Sequence, residues 1–275
     1  MQLSCIPVSF FSDIIEGKMS FRQWAELGKE AGLDAVDLSV MFFKDSSRQT
    51  LAAARSQVED AGMQIAMLNT YPDMSHPDAA QRAKEIEAEI ANVEMAAALG
   101  AKMVRVVAGQ AHPETGRQEG IAWVTAGIKQ VADATIDTGV QLVYENHGKP
   151  GAWQYTDFSQ PPDIFLEIAR GIADTSVGIN YDSANATAFS DDPVALLEAV
   201  IDRVVSVHAA DTGVKGQLTP VVVGEGIAPI EALFTVLHRA GWDRWMCIEE
   251  ASFQGPEGLK KAARFCREAW ESTRS

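Results

Sequence analysis

Short apolar runs of strand length alternate with longer stretches whose apolar residues recur at helical spacing, from one end of the chain to the other. Ser4 to Phe10 reads as a strand and Phe21 to Gly32 as a helix closed by its glycine. Leu33 to Val40 follows as a strand, Ser46 to Gly62 as a helix capped by Ser46 or Ser47, and Met63 to Tyr71 as the third strand. A long helix rich in Ala, Glu and Ile, Pro77 to Gly100, leads into the fourth strand, Ala101 to Ala108. Gln118 to Gly139 is the next helix and Val140 to Tyr144 the fifth strand. The loop after it, His147 to Pro162, is long, with the Gly, Pro, Trp and Gln content of a binding loop. Asp163 to Gly171 (helix), Val177 to Tyr181 (strand), Pro193 to Ile201 (helix) and Val204 to Val207 (strand) come next. After a second long loop, Ala209 to Ala228, the chain ends in Pro229 to Gly241 (helix), Trp245 to Ile248 (strand) and Pro256 to Thr273 (helix).

Eight strands, each followed by a helix, predict a parallel sheet, because parallel neighbours need crossover connections. Eight such units close into a ring, so the expected fold is α/β, a (β/α)8 barrel forming one domain over residues 1–275. An open doubly wound sheet is the alternative, but no glycine fingerprint follows the first strand.

Composition narrows the partners. The chain is 47% hydrophobic and 22% charged, the usage of a globular protein, and its formal net charge of −15 repels phosphate backbones and anionic lipid. Nucleic acid and membrane are thereby set aside. The N-terminus lacks a basic segment and a long apolar segment, and no apolar run reaches spanning length, so a cytoplasmic protein is expected. Cys5, Cys247 and Cys266 are widely spaced and suggest neither a disulfide framework nor a thiolate metal site.

The candidate chemistry sits at strand ends. Val140-Gln-Leu-Val-Tyr runs into Glu145, Asn146 and His147; Val177-Gly-Ile-Asn-Tyr ends in Asp182, Val204-Val-Ser-Val in His208, and Trp245-Met-Cys-Ile in Glu249. In a barrel the C-terminal strand ends share one mouth, so these four consecutive strands bring Glu145, Asp182, His208 and Glu249 together. Three carboxylates and an imidazole at close range call for a cation. Their oxygen-rich set with one nitrogen suits Mn²⁺, with Mg²⁺ and Co²⁺ as alternatives and Zn²⁺ still open.

Gly32-Leu-Asp-Ala-Val-Asp37, Leu99-Gly-Ala-Lys-Met-Val-Arg105, Tyr144-Glu-Asn-His-Gly148, His208-Ala-Ala-Asp211, Gly224-Glu-Gly226 and Ile248-Glu249 span nearly the whole chain. In them the sequence resembles the xylose-isomerase-like TIM-barrel superfamily of sugar isomerases and epimerases, which includes ketose 3-epimerases, inosose dehydratase and the endonuclease IV branch. The resemblance implies that Glu145, Asp182, His208 and Glu249 are metal ligands. It implies a divalent-metal-dependent isomerase or epimerase acting on a ketose or related polyol ketone, a small-molecule carbohydrate, through a metal-stabilised enediolate. Glu145 and Glu249 would then remove a proton from one face of the carbon and return one to the other. The endonuclease branch needs more metal-binding histidines and a basic face, which this chain lacks.

Two departures open an alternative. Many relatives carry a substrate-contacting His where this chain has Asn185, and ketose 3-epimerases an Arg where it has Val214. A dehydratase or lyase acting on a keto-sugar, inosose or keto-glycoside through the same site gains from both. His147 is the extra candidate proton carrier, Asn185 and Trp153 are candidate substrate contacts, and Asp211 either orients His208 or a substrate hydroxyl, or caps a loop. His76, His112 and His238 are less persuasive. Gly224-Glu-Gly226 precedes a helix, where amides can receive a phosphate, but Glu225 and the absence of Lys or Arg from Gln217 to Pro229 argue for loop geometry and an unphosphorylated substrate. An exposed helix face leaves a homo-oligomer open.

Overall fold

The computed structural model describes residues 1–149 and 151–274; Pro150, in the long loop after the fifth strand, and Ser275 lie outside the description. In chain order the elements are β1 (Gln2–Ile6), α1 (Phe11–Ile15), α2 (Phe21–Glu30), β2 (Val36–Ser39), α3 (Arg48–Asp60), β3 (Ile65–Asn69), α4 (Ala79–Leu99), β4 (Met103–Val106), α5 (Arg117–Ala134) and β5 (Gln141–Glu145). There follow α6 (Pro162–Gly171), β6 (Gly178–Asp182), α7 (Ser183–Phe189), α8 (Pro193–Glu198), β7 (Val204–Ala209), β8 (Asp211–Thr212), β9 (Pro220–Val221), α9 (Ile230–Arg239), β10 (Trp245–Glu249) and α10 (Gly255–Ser272). Eight strands form one parallel sheet in the order β1-β10-β7-β6-β5-β4-β3-β2. Its two edges meet where the Leu3 carbonyl accepts from Asp34 N at 2.8 Å and Ala35 N at 3.3 Å, so the sheet is a nearly closed (β/α)8 barrel.

Local chemistry sets the element ends. Ser20 and Gln23 make a reciprocal capping box at the start of α2, Ser47 caps α3, Asp78 caps α4, and Gly100 ends α4 at φ +75°, a conformation open to glycine. The first strand stops at Ile6 instead of reaching Phe10, because Pro7 has no N–H for the ladder and Val8–Phe10 turns into a 3-10 helix. Two elements had no periodic signal. The helix α7 is built on Ser, Ala, Asn and Thr and is buried from Ser183 to Ala188, so it shows no polar face. The expected loop from Ala209 to Ala228 holds a two-stranded antiparallel ribbon of β8 and β9.

Most of the core lies between the sheet and its helices, with Trp24, Leu38, Leu68, Val104, Phe165, Ile179 and Phe234 among its buried side chains. Inside the barrel a smaller plug of Ala35, Ala66, Met67, Met103 and Val143 fills the lower part, with Val205 and Trp245 against it. Strand side chains alternate, so two residues beyond Met67, Met103 and Val143 the inward face carries Asn69, Arg105 and Glu145. The same step places Asp182 above Asn180 and His208 above Ser206. The mouth of the barrel is thus polar by strand register. Among the described residues no helix is long and apolar enough to cross a membrane.

Candidate metal centre

Each ligand atom is delivered by a strand end, and β5, β6, β7 and β10 are neighbours in the sheet. One oxygen or nitrogen from each of Glu145, Asp182, His208 and Glu249 lies within 4.8 Å of the others. His208 Nδ1 is 3.0 Å from Glu145 Oε2, 3.3 Å from Glu249 Oε2 and 3.9 Å from Asp182 Oδ2. The first three side chains are closed to solvent, and Glu249 is 31% exposed, which leaves one side of the cluster open.

The test of fit for a cation is what these buried atoms do otherwise. Glu145 Oε1, Asp182 Oδ2 and both ring nitrogens of His208 are buried without an aligned hydrogen-bond partner. Orphaned polar atoms cost free energy, and a carboxylate oxygen from each of Glu145 and Asp182 with one nitrogen of His208, beside the Glu249 carboxylate, fit the donor set of a divalent ion. The partnered atoms show how the set is aimed. Asp182 Oδ1 accepts from Asn185 N at 2.6 Å as the N-cap of α7, which leaves Oδ2 for the mouth. Glu145 Oε2 accepts from Asn180 Nδ2 at 2.6 Å, and Asn180 Oδ1 accepts from Ser206 Oγ at 2.7 Å.

The electrostatics express the same demand for positive charge. Burial alone would raise the Glu145 carboxyl, but the charges of His208 and Arg105 prevail and hold it below the usual carboxylate range. Burial, with Glu249 and Glu145 beside it, pushes Asp182 well above its ordinary value. Burial works against an imidazolium at His208, yet the Glu145 charge overrides it and raises His208 well above the usual histidine value.

Several supporting residues carried no isolated signal in the sequence. Arg105 lies 3.5 Å from Glu145 Oε2, donates to Asn69 Oδ1 at 3.1 Å and to the Thr70 carbonyl at 3.1 Å, and stacks over Tyr71 at 4.6 Å. Beneath His208, Cys247 is its ladder neighbour and bonds Asp37, which also accepts from Ser4 Oγ at 3.1 Å; burial raises Asp37 to about 6. Asn180, Arg105 and Asp37 each sit at an inward strand position, so the alternation that places the ligands could have found them. Asp157 could not be found that way, because it lies in the long loop.

His147 is next to the centre and faces Asp157, with Nδ1 3.4 Å from Oδ2. Asp157 is buried, and Ser159 holds its other oxygen through N at 2.7 Å and Oγ at 2.8 Å. Trp153 meets His147 edge-on at 6.1 Å. Asn185 is buried with Oδ1 unpartnered, against Gly148, where a Cβ would come within 2.5 Å of that oxygen. Val214 is exposed, and Lys149 and Lys215 donate to the carbonyls of Gln154, Thr187 and Ser190.

Of the two roles open to Asp211, the structure places the loop cap. Its oxygens accept from Thr212 N (2.8 Å), Gly224 N (3.0 Å), Gly226 N (3.0 Å) and Ala228 N (2.9 Å), so they are committed to backbone and not to His208 or a ligand. His112 pairs with Asp73 at 2.8 Å, His76 accepts from Asp78 N, and His238 bonds the Trp270 carbonyl at 2.8 Å; all three hold loops or helices together.

The model of the xylose isomerase-like TIM barrel family matches residues 25–269, and the chain belongs to that family. An Escherichia coli K12 protein provisionally named L-ribulose-5-phosphate 3-epimerase SgbU is 25% identical over 253 residues, covering 82% of this chain and 83% of that protein. Among solved structures, a D-psicose 3-epimerase studied in the presence of D-fructose superposes with a TM-score of 0.77 at 14% identity, over 98% of this chain and 99% of that one. The IolI protein with a bound zinc atom superposes with a TM-score of 0.79 at 19% identity, over 100% of this chain and 98% of that one. At these identities the superpositions establish the fold.

Proposed function

We propose that this protein is a divalent-metal-dependent isomerase or epimerase of an unphosphorylated ketose or related keto-sugar. The observation that carries the reading is the convergence of Glu145, Asp182, His208 and Glu249 at the barrel mouth, the first three with buried orphan atoms. These four residues would hold the ion, Mn²⁺ by the donor set or Zn²⁺ as in the IolI relative. When bound, such an ion supplies a Lewis acid that acidifies the carbon beside a substrate carbonyl.

The chain's own residues do the rest. Epimerisation takes a proton from one face of a carbon and returns one to the other, which calls for two acid–base groups. Glu145 and Glu249, on β5 and β10, stand on either side of the strands that carry Asp182 and His208. Asn180 and Arg105 hold Glu145 in place, while the partly open Glu249 faces the side from which a substrate enters. His147, backed by Asp157, is placed to move a proton to or from a substrate oxygen. The sugar-epimerase names of the relatives support a carbohydrate substrate, the Escherichia coli relative being named for a phosphorylated ketose and the solved structure for a free one.

An unphosphorylated substrate is supported by Asp211, whose carboxylate fills the amide nest at Gly224, Gly226 and Ala228 that would otherwise receive a phosphate. A second reading, a lyase on a keto-sugar, rests on the same centre. It is favoured by Asn185, which has no titratable group, and by the absence of an arginine at exposed Val214.

Metal analysis followed by thermal-shift screening of free ketoses and keto-sugars tests the class, and proton exchange into the substrate in D₂O tests the chemistry. Exchange without loss of water supports the isomerase; exchange coupled to elimination supports the lyase. If Glu145→Gln and Glu249→Gln both kept full exchange, the assignment of the two bases would fail.

A further inference from the structure

The loop after β5 extends well past the mouth. Ala111 N donates to the Thr156 carbonyl at 2.8 Å, Phe158 N to the Gly109 carbonyl at 2.7 Å, and Gln110 Oε1 accepts from Gln154 N at 2.9 Å and Tyr155 N at 3.2 Å. Strapped down in this way, its tip reaches across to the β2 and β3 side. There Ala152 and Trp153, with Val40, Met41, Tyr71 and Pro72, face α4 around a cavity of about 250 Å³.

This cavity adjoins the metal centre on two sides. The Tyr71 ring lies 4.6 Å from the Arg105 guanidinium, which is 3.5 Å from Glu145. The Trp153 ring meets His147, two residues beyond Glu145, at 6.1 Å. Arg105 thus stands between the cavity wall at Tyr71 and Glu145, and Trp153 in the same wall touches His147 beside the centre.

The chemistry of the wall selects what can enter. It is mostly apolar and aromatic, and its charged lining residues, Glu85 and Glu89, are acids, with no Lys or Arg among the lining and the nearby Arg105 already paired with Glu145, so an anion is disfavoured. Their polar atoms are engaged within the protein: Glu85 accepts from Asp73 N at 3.2 Å and Gln81 Nε2 at 2.8 Å, and Glu89 bonds Thr70 and Asn92. Burial raises Glu89 to about 7, which reduces the charge of the wall further. Few hydrogen-bonding groups are left to read sugar hydroxyls, whereas two aromatic rings remain to take a flat apolar group. An apolar cavity of roughly 150 Å³ accepts benzene, so this one has room for a substituted phenyl ring. Exposed Ala88 and Met41 lie at its rim.

We infer that this cavity is a subsite for an uncharged aromatic substituent, so that the keto-sugar at the metal centre is presented as a glycoside with an aromatic aglycone. The inference rests on the reading of the centre as a keto-sugar site.

Calorimetry on the Mn²⁺-loaded protein with phenyl and methyl 3-keto-β-D-glucopyranosides, and with phenol alone, tests it. The phenyl glycoside is expected to bind about tenfold or more tightly than the methyl one, from burial of the ring. Ala88→Trp, which fills the cavity from the helix surface, should remove that advantage and leave the methyl glycoside's Kd unchanged; Trp153→Ala should reduce the advantage. Phenol needs no metal centre and should bind the native protein but not Ala88→Trp. Equal Kd values for the two glycosides in the native protein overturn the subsite, as does phenol binding unaffected by Ala88→Trp. Phenol bound at the cavity with neither glycoside bound overturns the keto-sugar reading and upholds the aromatic subsite, and no binding of any probe overturns both.

Discussion

Asn180 Nδ2 donates to Glu145 Oε2 at 2.6 Å from the neighbouring strand, and Ser206 on the next strand donates to Asn180 Oδ1 at 2.7 Å. Three strands thus share one chain of hydrogen bonds under the proposed metal centre, and it fixes which Glu145 oxygen is left for the ion. Asn180→Ala breaks the chain and strands two buried groups. The expected result is a stability loss of about 1–3 kcal/mol in urea unfolding and a drop in Mn²⁺ affinity of roughly 10–100-fold. An unchanged metal Kd would show that Asn180 does not aim Glu145.

Removing the ion should be visible without any substrate. A ligand that binds only the folded state stabilises it by mass action, about 2.7 kcal/mol at a free concentration one hundred times its Kd. Protein dialysed against a chelator is therefore expected to melt at a lower temperature, and Mn²⁺ should restore the melt. Asp182→Asn should abolish the restoration, since Asp182 Oδ2 is one of the four converging atoms. A melting curve indifferent to chelation in the native protein would count against the site.

The cluster of Glu145, Asp182, His208 and Glu249 was legible because strand ends in a barrel share a mouth, so four polar endings on successive apolar runs already implied it. The same register accounts for Arg105, Asn180 and Asp37, which alternation placed inward although none is conspicuous alone. Asp157 and α7 were not legible. Asp157 acquires its place from a loop that is pinned by backbone bonds to the Gly109–Ala111 segment, and no periodicity records such bonds. The helix α7 is buried on every side, so the contrast of polar and apolar faces that announces a helix is missing. Asp211 shows the limit from the other direction: its residue type fits a substrate contact as well as a cap, and only the four amides pointing at it decide.

Those amides yield a prediction about anions. Gly226 must be glycine, since a Cβ there would run into Asp211 Oδ1 and the Thr212 carbonyl, so the loop is built tightly around the carboxylate. Asp211→Ala is expected to cost about 2–4 kcal/mol, because several amides lose their acceptor at once. It should also expose an anion-binding nest: inorganic phosphate is expected to raise the melting temperature of Asp211→Ala and to leave the native protein unchanged. A phosphate-dependent shift in the native protein would contradict the unphosphorylated reading.

Glu89 carries the clearest pH dependence outside the metal centre. The Thr70 hydroxyl lies 2.8 Å from the Arg105 carbonyl and 2.6 Å from Glu89 Oε1. The carbonyl also accepts from Thr70 N at 3.1 Å, so the hydroxyl proton is free to point at either oxygen; when it points at the carbonyl, a protonated Glu89 donates to the hydroxyl, in keeping with burial raising Glu89 to about 7. A carboxyl whose folded pKa lies above its unfolded one binds more protons when folded, so stability falls as pH rises from about 4.5 and the loss levels off above about 7. Its full extent is on the order of 3 kcal/mol. Glu89→Gln keeps the protonated geometry, with its amide donating to Thr70 and its oxygen accepting from Asn92. Urea unfolding from pH 4.5 to 8 is expected to show this variant more stable than the native protein at pH 8, with the two converging toward the acid end. Parallel profiles across that range would show that Glu89 is ionised in the folded state and that the Thr70 proton points the other way.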